Sequence, residues 1–225
     1  YFERLIALEE QYNTKHLPVY NSIQTNGYVM DETWAAFLAK HRFLVGLSMD
    51  GPKDLHDACR LDAAGKGTHS RVMRAARLLE KHKVPFNILC VVNNAIARHA
   101  EQVFRFFQKN GLRYLQFIPC LDAFDQTDTH PYSLTAERYA HFLKTTFDLY
   151  YDSYCKGQYV SIRTFDNYVG MLLGQPPESC GMSGVCSCYF VAEGDGSIYP
   201  CDFYVLDEYR LGNITEMSFA DMLQS

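Results

Sequence analysis

The sequence predicts an α/β fold in which a parallel sheet precedes a cysteine-rich region. Apolar segments with strand character alternate with helical patterns over about the first 120 residues, which favours βαβ units with right-handed crossovers. Most of these segments are nearly continuous, as in parallel strands that are covered on both faces. The chain then changes character, and four of its eight cysteines crowd into residues 180–201.

Four strands are predicted, at residues 19–25, 43–49, 86–92 and 114–118. Helical patterns lie between them. Asp31 is the predicted N-cap of a helix that carries Trp34 and Leu38 on one face. Asn110-Gly111 is a typical C-cap pair and predicts the end of the helix before the fourth strand.

Beyond residue 118 the chain is predicted to contain a loop, two helices and a hairpin. The loop covers residues 120–132, the helices about 133–154 and 163–173, the hairpin strands 189–193 and 197–200, and a last short helix about 217–223. The helices are separated from the hairpin by Gly174-Gln175-Pro176-Pro177. We therefore expect three parts: residues 1–130, a helical connection at 131–175, and a cysteine-rich part at 176–225.

The composition argues against several classes of function. The formal net charge is −5, from 21 Lys and Arg against 26 Asp and Glu, with no polybasic segment, so nucleic-acid binding is not expected. No apolar run approaches the roughly 20 residues of a membrane span, and no signal peptide is recognised. We expect a cytoplasmic protein without membrane association. Because Tyr1 is not an initiator methionine, we also expect the chain to be a segment of a longer protein.

Polar residues follow each predicted strand, at the edge where parallel sheets bind ligands. The four stretches are Gln24-Thr25-Asn26-Gly27, Ser48-Met49-Asp50-Gly51, Asn93-Asn94 and Pro119-Cys120-Leu121-Asp122. They fit a site for a polar small molecule, and equally the ordinary polarity of loops. Arg60, in the stretch 56–60 that follows the second strand, could pair with a carboxylate or be a surface arginine.

The cysteine cluster is the most specific local pattern in the chain. Its spacing, C-x5-C-x-C-x14-C, joins Cys180, Cys186, Cys188 and Cys201. Gathered thiolates bind zinc or iron–sulfur clusters, and this spacing does not decide between them. Four unligated thiols are the remaining alternative. Asp202 follows Cys201 directly and is either a general base beside a metal site or a turn residue.

Several motifs occur together in an order that resembles a known superfamily. They are Ser22–Gly27, Ser48–Pro52 with His56-Asp57 and Arg60, Gly65–His69, Gln116–Cys120, Cys180–Met182 and Gly194–Phe203. In these motifs the sequence resembles the radical S-adenosylmethionine enzymes that carry a SPASM-type C-terminal extension. It is most similar to the anaerobic sulfatase-maturating enzymes.

The resemblance implies a fold and a set of site residues. The fold would be a partial (β/α)6 radical SAM barrel, of which this chain holds the last four strands, followed by helices and a cysteine-rich hairpin. Ser48 and Arg60 would contact the amino-acid end or the ribose of S-adenosylmethionine, and the backbone of Leu121 would meet the adenine. In the cysteine-rich part, three thiolates and one carboxylate are implied: Cys180, Cys186 and Cys201 as ligands of an auxiliary [4Fe-4S] cluster, and Asp202 as the base that deprotonates the target side chain.

The resemblance also implies a reaction. A reduced cluster would cleave the cofactor to a 5′-deoxyadenosyl radical, which takes a Cβ hydrogen from a Cys or Ser of an unfolded sulfatase polypeptide. Oxidation would give Cα-formylglycine, with electrons leaving through auxiliary clusters and an electron donor such as flavodoxin or ferredoxin supplying the reductant. The C-x3-C-x2-C motif of the radical-generating cluster is absent from these residues, so the segment alone is expected to be inactive. Cys188 receives no role.

Three alternatives stay open. The first is another SPASM maturase that acts on a different peptide. The second is a non-catalytic α/β module that binds zinc through the four clustered cysteines, in which case Cys188→Ser should abolish metal binding. The third is an inert segment with no activity of its own.

Overall fold

The computed structural model of the protein describes residues 1–123, 130–186 and 189–224. These residues form two compact units, Tyr1–Tyr168 and Val169–Ser225. The division between the units falls between the boundaries predicted from the sequence, near residues 130 and 175. The three-part division predicted from the sequence stays a prediction.

A parallel sheet organises the first unit. Its strands are β1 (Ser22–Thr25), β2 (Leu44–Ser48), β3 (Phe86–Val92), β4 (Tyr114–Pro119) and β5 (Ser161–Ile162), adjacent in that order and parallel throughout. Because sequential strands are neighbours and always parallel, each connection crosses over one face of the sheet. The predicted α/β class is confirmed.

Eight helices of the described residues lie within or begin in this unit. They are α1 (Phe2–Tyr12), α2 (Glu32–Lys40), α3 (Lys53–Cys59), α4 (His69–Lys81), α5 (Asn94–Arg98), α6 (Ala100–Lys109), α7 (Ala136–Cys155) and α8 (Arg163–Leu172). The predicted cap at Asp31 is confirmed, since its carboxylate accepts from the Trp34 N–H at 2.9 Å. Gly111 follows α6 with φ +73°, the left-handed conformation typical of a helix end.

The core of this unit lies between the sheet and its helices. Apolar side chains from the middle strands, such as Leu47 and Ile88, are almost fully buried against helical residues such as Val72 and Phe104. Burial of this kind is the main stabilising term, at roughly 1.5–3 kcal/mol for each large side chain. This core supports β2, β3 and β4, and the polar residues begin at the carboxyl ends of these strands.

The sheet has five strands where four were predicted. The additional strand, β5, pairs Ser161 with Tyr114 and Ile162 with Leu115. Two residues are too few to show a period in the sequence, and α8 begins at the next residue. The first strand is also shorter than predicted, because Val19 and Tyr20 are exposed and the ladder begins at Ser22.

The second unit contains a small antiparallel sheet. Its elements are α9 (Cys180–Ser183), β6 (Val191–Ala192), β7 (Ser197–Tyr199), a 3-10 turn (Asp207–Tyr209), β8 (Gly212–Asn213) and α10 (Phe219–Met222). β6 and β7 form the predicted hairpin, whose turn places Gly196 at φ +86°. β8, which was not predicted, adds to the free edge of β7. Ile198 and Met222 form the buried centre of this unit.

The structure gives one finding about membranes. No helix in the described ranges is both long and apolar enough to cross a bilayer.

Candidate functional site

The carboxyl edge of the parallel sheet carries the first candidate site. Ser48 is the last residue of β2 and is half-buried, and Leu121 lies two residues beyond β4 with 65% of its surface exposed. Parallel strands end at the same edge, so these residues and the segments after β2 and β4 share one rim.

A partly buried ion pair lies at this rim. Asp50, which is 5% exposed, accepts hydrogen bonds from Arg60 at both carboxylate oxygens, from Nε at 2.5 Å and from Nη2 at 3.2 Å. The Val91 N–H donates to the same carboxylate at 2.9 Å. Two parallel N–H bonds to one carboxylate fix the plane of the guanidinium as well as its position. The carboxylate partner that the sequence suggested for Arg60 is therefore the protein's own Asp50.

A buried histidine joins the two residues through the backbone. His56 is fully buried, and its Nδ1 accepts from the Asp50 N–H at 3.2 Å. Burial lowers the pKa of His56 to about 4, although the nearby Asp50 opposes this shift. At neutral pH the ring is uncharged, so its proton is on Nε2 and is donated to the Thr68 hydroxyl at 3.1 Å. That hydroxyl in turn donates to the Arg60 carbonyl at 2.9 Å.

Arg60 lines a cavity of about 460 Å³ next to these groups. The described lining residues are Asn26, Tyr28, Cys59, Arg60, Leu61, Asp62, Ala63 and Thr68. The size and the mixed polarity of this cavity suit a polar small molecule. One wall is fixed by the Tyr28 hydroxyl, which donates to Asp62 at 3.1 Å, and by Arg71, which lies 4.3 Å from the Tyr28 ring centre. Ser48 and Leu121 are not among the described lining residues.

The predicted cluster ligands lie in the second unit. Cys180 and Cys186 are exposed, Cys201 is half-buried, and all three are free thiols. Within residues 1–123, 130–186 and 189–224, no three Cys, His, Asp or Glu side chains are close enough together to hold a metal ion. The donor type still fits a thiolate-bound cluster, since soft thiolates are its usual ligands. The prediction about Cys188 lies outside the described residues.

Cys201 and Asp202 are joined by a residue that sequence reasoning missed. The Tyr189 hydroxyl donates to Asp202 Oδ1 at 2.5 Å and lies 3.4 Å from the Cys201 sulfur. The Asp202 carboxylate accepts this bond and thereby raises the pKa of Tyr189. In the sequence, only the predicted hairpin pointed to this contact. The hairpin brings the residues that follow β7 back towards the residues that precede β6.

The comparisons with known proteins cover both units. Residues 180–225 match the SPASM family, described as an iron–sulfur cluster-binding domain. Over its whole length the chain is 50% identical to a cysteine-type anaerobic sulfatase-maturating enzyme of Clostridium perfringens (strain 13 / Type A). The chain is similar over its whole length to the anaerobic sulfatase-maturating enzymes. It spans 61% of that Clostridium perfringens enzyme.

Two further relatives show how the similarity is distributed. Identity is 47% to the cysteine-type enzyme of Clostridium novyi (strain NT), of which the chain covers 60%. It is 30% to a serine-type enzyme of Bacteroides thetaiotaomicron, of which the chain covers 57%. The relatives of cysteine type are thus more similar to this chain than the serine-type one.

Solved structures confirm the fold. The chain matches native anSMEcpe with bound AdoMet and Kp18Cys peptide at a TM-score of 0.95 and 50% identity, covering all of this chain and 62% of that one. Streptococcus suis SuiB bound to S-adenosylmethionine matches at a TM-score of 0.64 and 15% identity, covering 99% of this chain and 51% of that one, which bears on the fold alone. The predicted fold class, a partial radical SAM barrel followed by a cysteine-rich hairpin region, is confirmed.

Proposed function

We propose that this chain is part of a radical S-adenosylmethionine enzyme that oxidises a Cys or Ser side chain of an unfolded sulfatase polypeptide to Cα-formylglycine. The observation that carries the proposal is the match over the whole chain to a structure with bound AdoMet and peptide, at a TM-score of 0.95. The greater identity to cysteine-type relatives, 50% against 30%, favours a cysteine substrate.

In this proposal the rim of the parallel sheet binds the cofactor. Ser48 and Arg60 would contact the amino-acid end or the ribose, and the Leu121 backbone the adenine. Arg60 suits this role because Asp50 holds its Nε and Nη2, whereas its Nη1 has no hydrogen-bond partner in the described part of the chain. A fixed guanidinium with one free N–H edge is a directed donor for a carboxylate or hydroxyl. When bound, S-adenosylmethionine and a reduced [4Fe-4S] cluster supply the radical that abstracts hydrogen.

The second unit would supply the cluster thiolates and the base. Cys180, Cys186 and Cys201 would ligate an auxiliary [4Fe-4S] cluster, which supplies an electron acceptor when bound. Asp202 would take the proton of the target thiol or hydroxyl, because loss of this proton makes the side chain easier to oxidise. The Tyr189 hydroxyl would orient the Asp202 carboxylate through its 2.5 Å hydrogen bond.

Two partners complete the proposal. A small electron carrier such as flavodoxin or ferredoxin would supply the reducing electron. The substrate polypeptide would have to be unfolded, which places the reaction before sulfatase folding and favours the cytoplasm as its location.

Formation of formylglycine in a defined peptide tests the function. Full-length protein, reconstituted without oxygen, is incubated with reductant, S-adenosylmethionine and a sulfatase-motif peptide that carries Cys or Ser. Mass spectrometry should detect formylglycine in the Cys peptide, and Asp202→Asn should abolish it while iron content is unchanged. Asp207→Asn, at an exposed aspartate of the same unit, is the matched control.

The outcomes separate the parts of the proposal. Cleavage of S-adenosylmethionine without any change in the peptide would overturn the substrate assignment and leave radical chemistry in place. Full activity of the Asp202→Asn variant would overturn the base assignment. Zinc instead of iron in the purified protein would favour the non-catalytic module.

A further inference from the structure

We propose that Asp50, His56 and Thr68 are positioning residues that fix the Arg60 guanidinium for cofactor binding. The inference deepens the proposed function and rests on the role given there to Arg60. None of the three is proposed to touch the cofactor's reacting atoms. Each acts through Arg60.

The four residues form a closed ring of hydrogen bonds. The Asp50 N–H donates to His56, His56 donates to the Thr68 hydroxyl, and that hydroxyl donates to the Arg60 carbonyl. The ring closes where the Arg60 side chain donates twice to the Asp50 carboxylate. Arg60 is thereby held at both its main chain and its side chain by groups that connect to one residue, Asp50.

Further backbone contacts hold Arg60 at a defined place. The Thr68 N–H also donates to the Arg60 carbonyl, at 3.2 Å. An antiparallel bridge pairs Leu61 with Gly67 directly beyond it. The segment after α3 is therefore held to the segment before α4 next to Arg60. The guanidinium plane is set by this backbone position and by the Asp50 carboxylate together.

Burial of these polar groups is costly unless each of them is hydrogen-bonded. Asp50 is 5% exposed, His56 is fully buried and Thr68 is 8% exposed. A buried carboxylate that is paired in this way adds little net stability, so we infer that the pair matters for the geometry of Arg60. The Arg60 side chain keeps 26% of its surface exposed and lines the 460 Å³ cavity, so the cavity is where that geometry can be used.

Equilibrium binding of S-adenosylmethionine tests the inference. Dialysis against the labelled cofactor is performed with full-length, cluster-reconstituted protein and with Asp50→Asn, Arg60→Lys and the double variant. Each single variant should weaken binding about tenfold. The double variant should also be weaker by about tenfold and not by the product of about a hundredfold, because both changes disrupt one pair.

A pair of variants at Thr68 keeps the test valid if Asp50→Asn does not fold. Thr68→Val removes the hydroxyl with little change of shape and should weaken binding, whereas Thr68→Ser keeps the hydroxyl and should restore it. Asp152→Asn, in the exposed pair with Lys156, is the matched control and should leave affinity unchanged. Melting temperature and iron content are measured for every variant.

Three results would overturn the inference. Unchanged affinity with a lower melting temperature in Asp50→Asn and Thr68→Val would show a structural role only. Additive losses in the double variant would show that Asp50 does not act through Arg60. Unchanged affinity in Arg60→Lys and Arg60→Ala would remove the cofactor role of Arg60 itself, whereas formylglycine formation by the same preparations would still support the proposed function.

Discussion

Lowering the pH should destabilise the first unit through His56. In the unfolded chain a histidine has a pKa of about 6.5. In the folded chain burial lowers the pKa of His56 to about 4. Between these values the unfolded state binds a proton that the folded state does not, so the free energy of unfolding decreases as the pH falls through this range. The contribution of neutral His56 is complete above pH 6.5 and lost progressively below it.

The size of the effect follows from the difference between the folded and unfolded pKa of His56. A tenfold change in a proton-binding constant corresponds to about 1.4 kcal/mol, and linkage gives a loss of about 2 kcal/mol at pH 5 and about 3 kcal/mol at pH 4. A loss of about 2 kcal/mol is a large part of the stability of an ordinary domain. Burial also lowers the pKa of His69, which adds to the loss in the same direction.

Urea unfolding at pH 7, 6 and 5 measures the effect. Trp34 is the single tryptophan of the chain and lies on α2, so its fluorescence reports on the first unit. Replacing His56 by Gln removes the titrating group and should flatten the pH dependence by about 2 kcal/mol between pH 7 and 5. His141→Gln, at an exposed histidine of α7, should keep the wild-type dependence. Equal pH dependence in the wild type and His56→Gln would refute the reasoning.

Two further changes test the rest of the structure. Gly27→Ala should destabilise the chain by about 2–4 kcal/mol, because its φ is +66° and the added Cβ would lie 2.7 Å from Leu47 Cδ1. Gly65→Ala, at φ +73° with nothing within 4 Å, should cost only the backbone strain of about 1 kcal/mol, and equal losses in urea unfolding would contradict the packing argument. Tyr189→Phe should slow formylglycine formation about tenfold by removing a hydrogen bond to Asp202. Mass-spectrometric time courses measure the rate, and a loss as complete as that of Asp202→Asn would mean that Tyr189 does more than orient the carboxylate.

The parallel sheet was predictable because its strands carry their own signals. Near-continuous apolar runs identified β2 and β4, and alternating apolar residues identified β3. The Asp31 cap and Gly111 marked the limits of helices. Strand β5 was missed because two residues carry no period, and its pairing is decided by the neighbouring strand β4. Local sequence cannot predict a strand that forms only because a neighbouring strand pairs with it.

The sequence predicted the kind of site, but it did not predict several of the contacts within it. The sequence indicated that Arg60 could pair with a carboxylate, but which carboxylate depends on how the segment after β2 turns. His56 stood in a recognised motif without a role, because a buried neutral histidine cannot be told from an exposed one by spacing. The Tyr189 contact likewise depends on the return of the hairpin, which brings residues thirteen apart, Tyr189 and Asp202, within 2.5 Å.

The Asp50 carboxylate also lies where the hydrogen-bond ladder between β2 and β3 ends. The Met49 N–H still donates to the Leu89 carbonyl in the ordinary ladder between β2 and β3, whereas the Val91 N–H donates to the Asp50 side chain. Here an oxygen of the Asp50 side chain takes the place of the main-chain carbonyl that β2 would otherwise offer to the Val91 N–H. The backbone after β2 can therefore leave the sheet at Gly51 without exposing an unpaired amide on β3. One carboxylate thus satisfies the last amide of the ladder and allows the chain to turn away from the sheet.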